Sequence, residues 1–185
     1  MDSKRRVRTS RFLSLVLRHD PARAGITLDP QGWADIRALL DGCRSAGHRV
    51  THAELVEIVR TNDKQRFALN ADGTRVRARQ GHFVPVDLAL EPTAPPELLH
   101  HGTVGRFLPA ITTEGLRSMS RHDVHLSADE ATARRVGARR GAPVVLVVAA
   151  GRMHADGYAF RVTDNGVWLV PEVPPEYLGA PVSRA

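Results

Sequence analysis

Three prolines within Pro92-Thr93-Ala94-Pro95-Pro96 bar both helix and sheet near the midpoint of the chain. The segment Glu91 to Pro96 therefore predicts a linker between two lobes, residues 1–91 and 97–185. Each half of the 185 residues is large enough to bury a small core of its own, and 42% hydrophobic content excludes a disordered chain. The longest apolar run, Val144 to Ala150, is far short of the roughly 20 residues that span a bilayer, so no membrane partner is expected. The start, Met1-Asp2-Ser3-Lys4-Arg5-Arg6, leads into no signal-type apolar region, which predicts a cytoplasmic protein. Cys43 is the single cysteine, so neither an internal disulfide nor a cysteine-rich zinc site can form, and it reads as a small buried hydrophobe.

In the first lobe, Phe12, Leu13, Val16 and Leu17 recur at helical spacing and predict a helix over 10–18, stopped by Asp20-Pro21. A second helix is expected over 34–40, and a third from Thr51, with Glu54 completing a capping box. Residues 66–69 and 74–78 read as strands joined by the turn Asn70-Ala71-Asp72-Gly73. Three helices and a hairpin make a winged-helix-like lobe. In the second, strands are expected at 97–100, 124–127, 144–150, 158–162 and 167–170, with Asn165-Gly166 as the last turn. Helices should fill 104–116 and the stretch from Ser127, read as N-cap to Glu130, through Arg135.

Lys plus Arg exceed Asp plus Glu by 26 to 20, a net charge of +6 supplied mostly by arginine, which suits a phosphate-bearing partner. Aromatics are only 5%, which argues against a surface that stacks many bases. Arg18 and His19 end the first helix beyond its apolar face, where they either complement the helix dipole or project as functional groups. Alternation turns Lys64 and Arg66 to one strand face and Phe67 to the other. Arg77, Arg79, Gln80 and His82 surround Gly81 in what reads as an anion loop. His100-His101-Gly102-Thr103 is expected to end a strand and open a helix, a place where free N–H groups receive a pyrophosphate or ribose. Neighbouring histidines on a strand point to opposite faces, so they make a poor metal pair. Asp123, His125 and Ser127 share one face of their strand, opposite Val124 and Leu126.

Taken in order, Ser14-Leu15-Val16-Leu17-Arg18-His19-Asp20-Pro21, Gly32-Trp33, Lys64-Gln65-Arg66-Phe67, Gln80-Gly81-His82, His101-Gly102-Thr103, Arg121 to Ser127 and Asn165-Gly166-Val167-Trp168-Leu169 resemble the signatures of the RNA 2'-phosphotransferase family. The resemblance covers most of the chain. It implies an α+β protein whose winged-helix lobe binds RNA and whose second lobe has the ADP-ribosyltransferase fold and holds NAD. By the family's motif the catalytic four fall on Arg18, His19, Arg66 and Arg121. His101, Gly102 and Thr103 would contact NAD, joined by His125, Ser127 and Asn165, while Lys64, Arg77, Gln80 and His82 would contact RNA. This chain departs from the pattern at Phe83, where a small hydroxyl residue is frequent, and at Asp123, where a second histidine is common.

The resemblance implies that the RNA 2'-phosphate first displaces nicotinamide from NAD, and that the ribose 2''-hydroxyl then attacks phosphorus. The products are RNA with a 2'-hydroxyl and ADP-ribose 1'',2''-cyclic phosphate. A phosphate is already an anionic nucleophile, so the first step needs positioning by cations rather than a general base. No metal is implied, nor is there an acidic cluster to hold one. The expected partner is 2'-phosphorylated RNA, including tRNA, bound by a monomer. The alternatives are a nucleic-acid phosphate ADP-ribosyltransferase and a non-catalytic winged-helix binder.

Overall fold

The computed structural model describes residues 2–62, 65–119 and 122–181. The chain is α+β and divides into two compact units, residues 1–89 and 90–185.

The first unit opens on α1 (Ser3–Arg18), which begins seven residues earlier than the apolar periodicity predicts. Its first half holds basic residues and little apolar content, so the cue is the cap: Asp2 accepts from the Arg5 amide at 2.8 Å. Trp33–Asp35 form β1, where a helix start is expected, and α2 (Ile36–Ser45) follows with Asp35 as its N-cap. That helix runs through Gly42, past the expected end at residue 40. A Cβ at Gly42 would stand 1.9 Å from the Ala24 carbonyl oxygen, so glycine is there for close packing. The third helix, α3 (His52–Thr61), carries the expected Thr51–Glu54 capping box. The hairpin strands are β2 (Phe67–Leu69) and β3 (Arg75–Ala78), in a sheet of order β1-β3-β2. Phe12, Leu13, Val16, Leu17, Leu39, Leu55, Ile58 and Phe67 form its core. Cys43 lies in that core, and burial pushes its thiol up to about 11, so it stays protonated and inert.

In the second unit, Pro92 bridges Arg161 and the Thr93 amide donates to the Phe160 carbonyl at 2.8 Å. Pro92 and Thr93, at the start of the proline-rich segment, thus pair within this unit. The strand β4 (Leu99–Val104) carries the His-Gly-Thr run in its interior, not at its end. After a short 3-10 turn comes α4 (Leu108–Glu114), followed by β5 (Leu116–Arg117), β6 (Val124–Ser127) and α5 (Glu130–Gly137). Asp129, not Ser127, caps α5, accepting from the Thr132 amide at 2.7 Å. The apolar run expected as one strand is β7 (Pro143–Val148) followed by α6 (Ala150–Ala155). Of the strand expected over 158–162, only β8 (Arg161–Val162) is paired, and β9 (Val167–Val170) and β10 (Glu172–Val173) complete the unit. The main sheet is antiparallel, of order β7-β4-β6-β9-β8, with β5 and β10 pairing separately. No helix among the described residues is long and apolar enough to cross a membrane.

Candidate active site

In the first unit the end of α1 is where the expected residues gather. The Arg18 guanidinium donates through Nη2 to the Arg66 carbonyl at 3.4 Å, and the Arg79 amide donates to the same oxygen at 2.9 Å. Arg66 in turn donates from Nη1 to Oδ1 of Asn62, also at 3.4 Å, from the residue just beyond α3. Arg66 precedes β2 rather than opening it, next to Gln65 at φ 39°. Asn62 and Arg79 belong to this cluster, and sequence reading assigned neither to the catalytic group. Their signals are weak: one caps a helix, and the other is one arginine among many.

The loop after β3 closes over the same place. The amides of Phe83 and Val84 donate to the Arg18 carbonyl at 2.8 and 3.3 Å, satisfying an acceptor that the helix end leaves open. Phe83, the residue departing from the family pattern, sets its ring 4.3 Å from that of His19 at a tilt of 49°. A hydroxyl residue there could not brace the imidazole in this way. His82, expected on the RNA face, is only 4% exposed and packs toward Gly32. Arg77 lies 4.5 Å over the Trp33 ring and donates to the Gln31 and Leu88 carbonyls at 3.4 Å, tying strand to loop. Gln80 holds its Oε1 buried with no hydrogen-bond partner among the described residues. Lys64 and Arg121 lie outside the described residues.

In the second unit the geometry centres on the seam between β4 and β6. Their ladder has a single pair, His100 with Ser127. The carbonyl of His125 instead meets Nδ1 of His101 at 3.1 Å. A carbonyl only accepts, so Nδ1 carries the proton and the ring orientation is fixed. The two strands part here, and a side chain stands where a ladder bond would be. The burial alternation of β6 matches expectation, with Val124 and Leu126 buried and His125 and Ser127 half-buried on the other face. Thr103 is 5% exposed. Gly102 lies against α5: a Cβ there would stand 1.8 Å from the Ala133 carbonyl oxygen. The expectation that the His-Gly-Thr run opens a helix and offers its N-terminus to a pyrophosphate is thus corrected. Asn165, in the turn between β8 and β9, accepts from the Thr163 hydroxyl at 2.7 Å.

Asp123, the second departure, is half-buried. Burial raises its carboxyl above the usual range, and Arg161 at 4.0 Å only partly opposes this. The folded protein thus holds this proton more tightly than the unfolded chain, and ionised Asp123 costs stability at neutral pH. Asp123→Asn is expected to melt higher than the wild type at neutral pH. The gap should close as pH falls through the raised folded value toward the ordinary carboxylate range, as melting curves across acid pH will test. A gap that widens on acidification would show Asp123 to be a net stabilising anion.

The family model described as RNA 2'-phosphotransferase, Tpt1 / KptA family, matches residues 4–172. The chain belongs to this family. Membership makes it an RNA 2'-phosphotransferase. Among its relatives is a protein of Burkholderia pseudomallei, 56% identical over 174 residues, which are 94% of this chain and 95% of the relative. Others come from Streptomyces coelicolor, 54% identical over 98% of both chains, and Nostoc punctiforme, 49% identical over 96% of this chain and 98% of its own. All three bear the name "Probable RNA 2'-phosphotransferase".

Proposed function

We propose that this RNA 2'-phosphotransferase passes the 2'-phosphate of RNA to the ADP-ribose half of NAD, releasing nicotinamide, ADP-ribose 1'',2''-cyclic phosphate and RNA with a 2'-hydroxyl. The observation that carries the reading is the bond from the Arg18 guanidinium to the main-chain carbonyl of Arg66, which ties the end of α1 to the segment that bears Arg66, with Phe83 bracing His19 beside Arg18. Two planar guanidiniums on segments joined in this way suit a dianionic phosphate, which they would grip through paired, charge-assisted hydrogen bonds. Arg121 joins them by the family motif alone. Lys64, Arg77 and Gln80 would contact the RNA, and His82 would act by holding the loop that carries Phe83.

The first unit reads as winged-helix-like, from its three helices and small antiparallel sheet. We read the second as ADP-ribosyltransferase-like, and the parted β4–β6 seam supports NAD as co-substrate there. A flat carboxamide needs main-chain partners, and a strand edge without a full ladder provides them. NAD supplies an anomeric carbon that accepts the phosphate. His101, oriented through His125, would hold a ribose hydroxyl, with Thr103, Ser127 and Asn165 around it and Gly102 shaping the strand. We place the reaction in the cytoplasm, on RNA such as tRNA, with a monomeric enzyme and no metal.

Incubation with a 2'-phosphorylated oligoribonucleotide and NAD should give 2'-hydroxyl RNA and the cyclic phosphate, with no turnover when NAD is omitted. Release of inorganic phosphate without NAD would overturn the proposal.

A further inference from the structure

Helix α1 carries six basic residues, Lys4, Arg5, Arg6, Arg8, Arg11 and Arg18, and no acidic one. The other helices of the unit differ. In α2, Asp41 offsets Arg37 or Arg44, and α3 has Glu54 and Glu57 against Arg60. Helical spacing places Lys4, Arg8, Arg11, Leu15 and Arg18 in one stripe, and the first four are solvent-exposed. Lys4, Arg8 and Arg11 make no ion pair among the described residues, whereas Arg5, off the stripe, pairs with Glu54 at 2.7 Å. Such a helix is costly in isolation. Cations three and four residues apart repel, and three of them in the first turn oppose the helix dipole. A surface selected only for solubility would mix the two signs, as α2 and α3 do.

We propose that the exposed stripe of α1 is a track for the sugar-phosphate backbone of the RNA flanking the 2'-phosphate. The proposal rests on the function proposed above. The stripe ends at Arg18, so a strand whose modified nucleotide meets Arg18 and Arg66 has its neighbouring phosphates beside Arg11, Arg8 and Lys4. From Lys4 to Arg18 the helix rises about 21 Å, the reach of several nucleotides. Cations spaced along a helix and lacking aromatic neighbours position a backbone without reading sequence, so the track should accept any single-stranded flank. Leu15, 38% exposed, is the one uncharged place in it.

The test compares the wild type with Lys4→Gln/Arg8→Gln/Arg11→Gln on two 2'-phosphorylated substrates, a dinucleotide and a longer single strand. The variant should fold at least as well, because like-charge repulsion is relieved, and its melting temperature checks this. On the dinucleotide, kcat and KM should match the wild type. On the long strand, KM should rise with kcat unchanged, and the salt slope of affinity should fall by about 2, given about 0.7 per neutralised phosphate on single strands. An unchanged KM and salt slope on the long strand would overturn the track while leaving the proposed function intact. Equal loss on both substrates would also overturn it, placing the three side chains in the reaction site. If the wild type turns over neither substrate, the function proposed above falls, and with it the track.

Discussion

Gly102→Ala is expected to destabilise the second unit by about 3 kcal/mol or more, a loss of roughly 6–12 °C in melting temperature for a protein of this size. The added methyl would stand 1.8 Å from the Ala133 carbonyl oxygen, 2.7 Å from its carbon and 2.9 Å from the Gly137 nitrogen. All three are backbone atoms of α5, so no side chain can rotate away and the whole helix must lift from β4. Gly137 meets β4 in the same manner, its Cβ position lying 2.7 Å from the Thr103 carbonyl oxygen. Thermal melts of wild type and variant decide the matter. A variant that melts normally yet fails to turn over RNA would return Gly102 to a ligand-facing role.

Arg66→Ala is expected to lower the single-turnover rate of 2'-phosphate removal by about a hundredfold, or about 3 kcal/mol in the barrier, while changing the melting temperature little. Charge grows on the phosphoryl oxygens as a hydroxyl adds to phosphorus, so a guanidinium in place stabilises the transition state more than the ground state. Little stability should be lost, because Arg66 is half-buried and lies outside the core of its unit. Arg66→Lys keeps the charge but not the planar fork, so it should recover only part of the rate. If Arg66→Ala removes phosphate at the wild-type rate, Arg66 does not touch the reacting group.

Periodicity revealed the elements that bury one clear face. Val124 to Ser127 alternates so regularly that its strand is legible to the residue, and the Thr51–Glu54 box marks the start of α3 equally well. The first half of α1 is hidden because basic residues surround it and it has almost no apolar residues to show a period. The boundary between β7 and α6 was hidden because both are apolar where the chain passes from one to the other. For the site, residue types and order pointed to Arg18, His19 and Arg66 through resemblance, but not to what holds them. The Arg66 carbonyl as a common acceptor, and Phe83 against His19, depend on long-range placement that local pattern does not encode. The placement of His101-Gly102-Thr103 was misread for a related reason. Glycine looks like punctuation in a sequence, whereas here it is the thinnest point of a strand beneath a helix.

The lone rung between β4 and β6 gives His101 two employments at once. Its imidazole closes the middle of the sheet by donating to the His125 carbonyl, and under the proposed function it would also hold a co-substrate hydroxyl. Loss of activity on removing the ring would therefore merge a widened seam with a missing contact, and neither could be read from the rate alone. Asparagine, whose amide can offer a donor to the same carbonyl without an imidazole, separates the mechanical office of the residue from its chemical one.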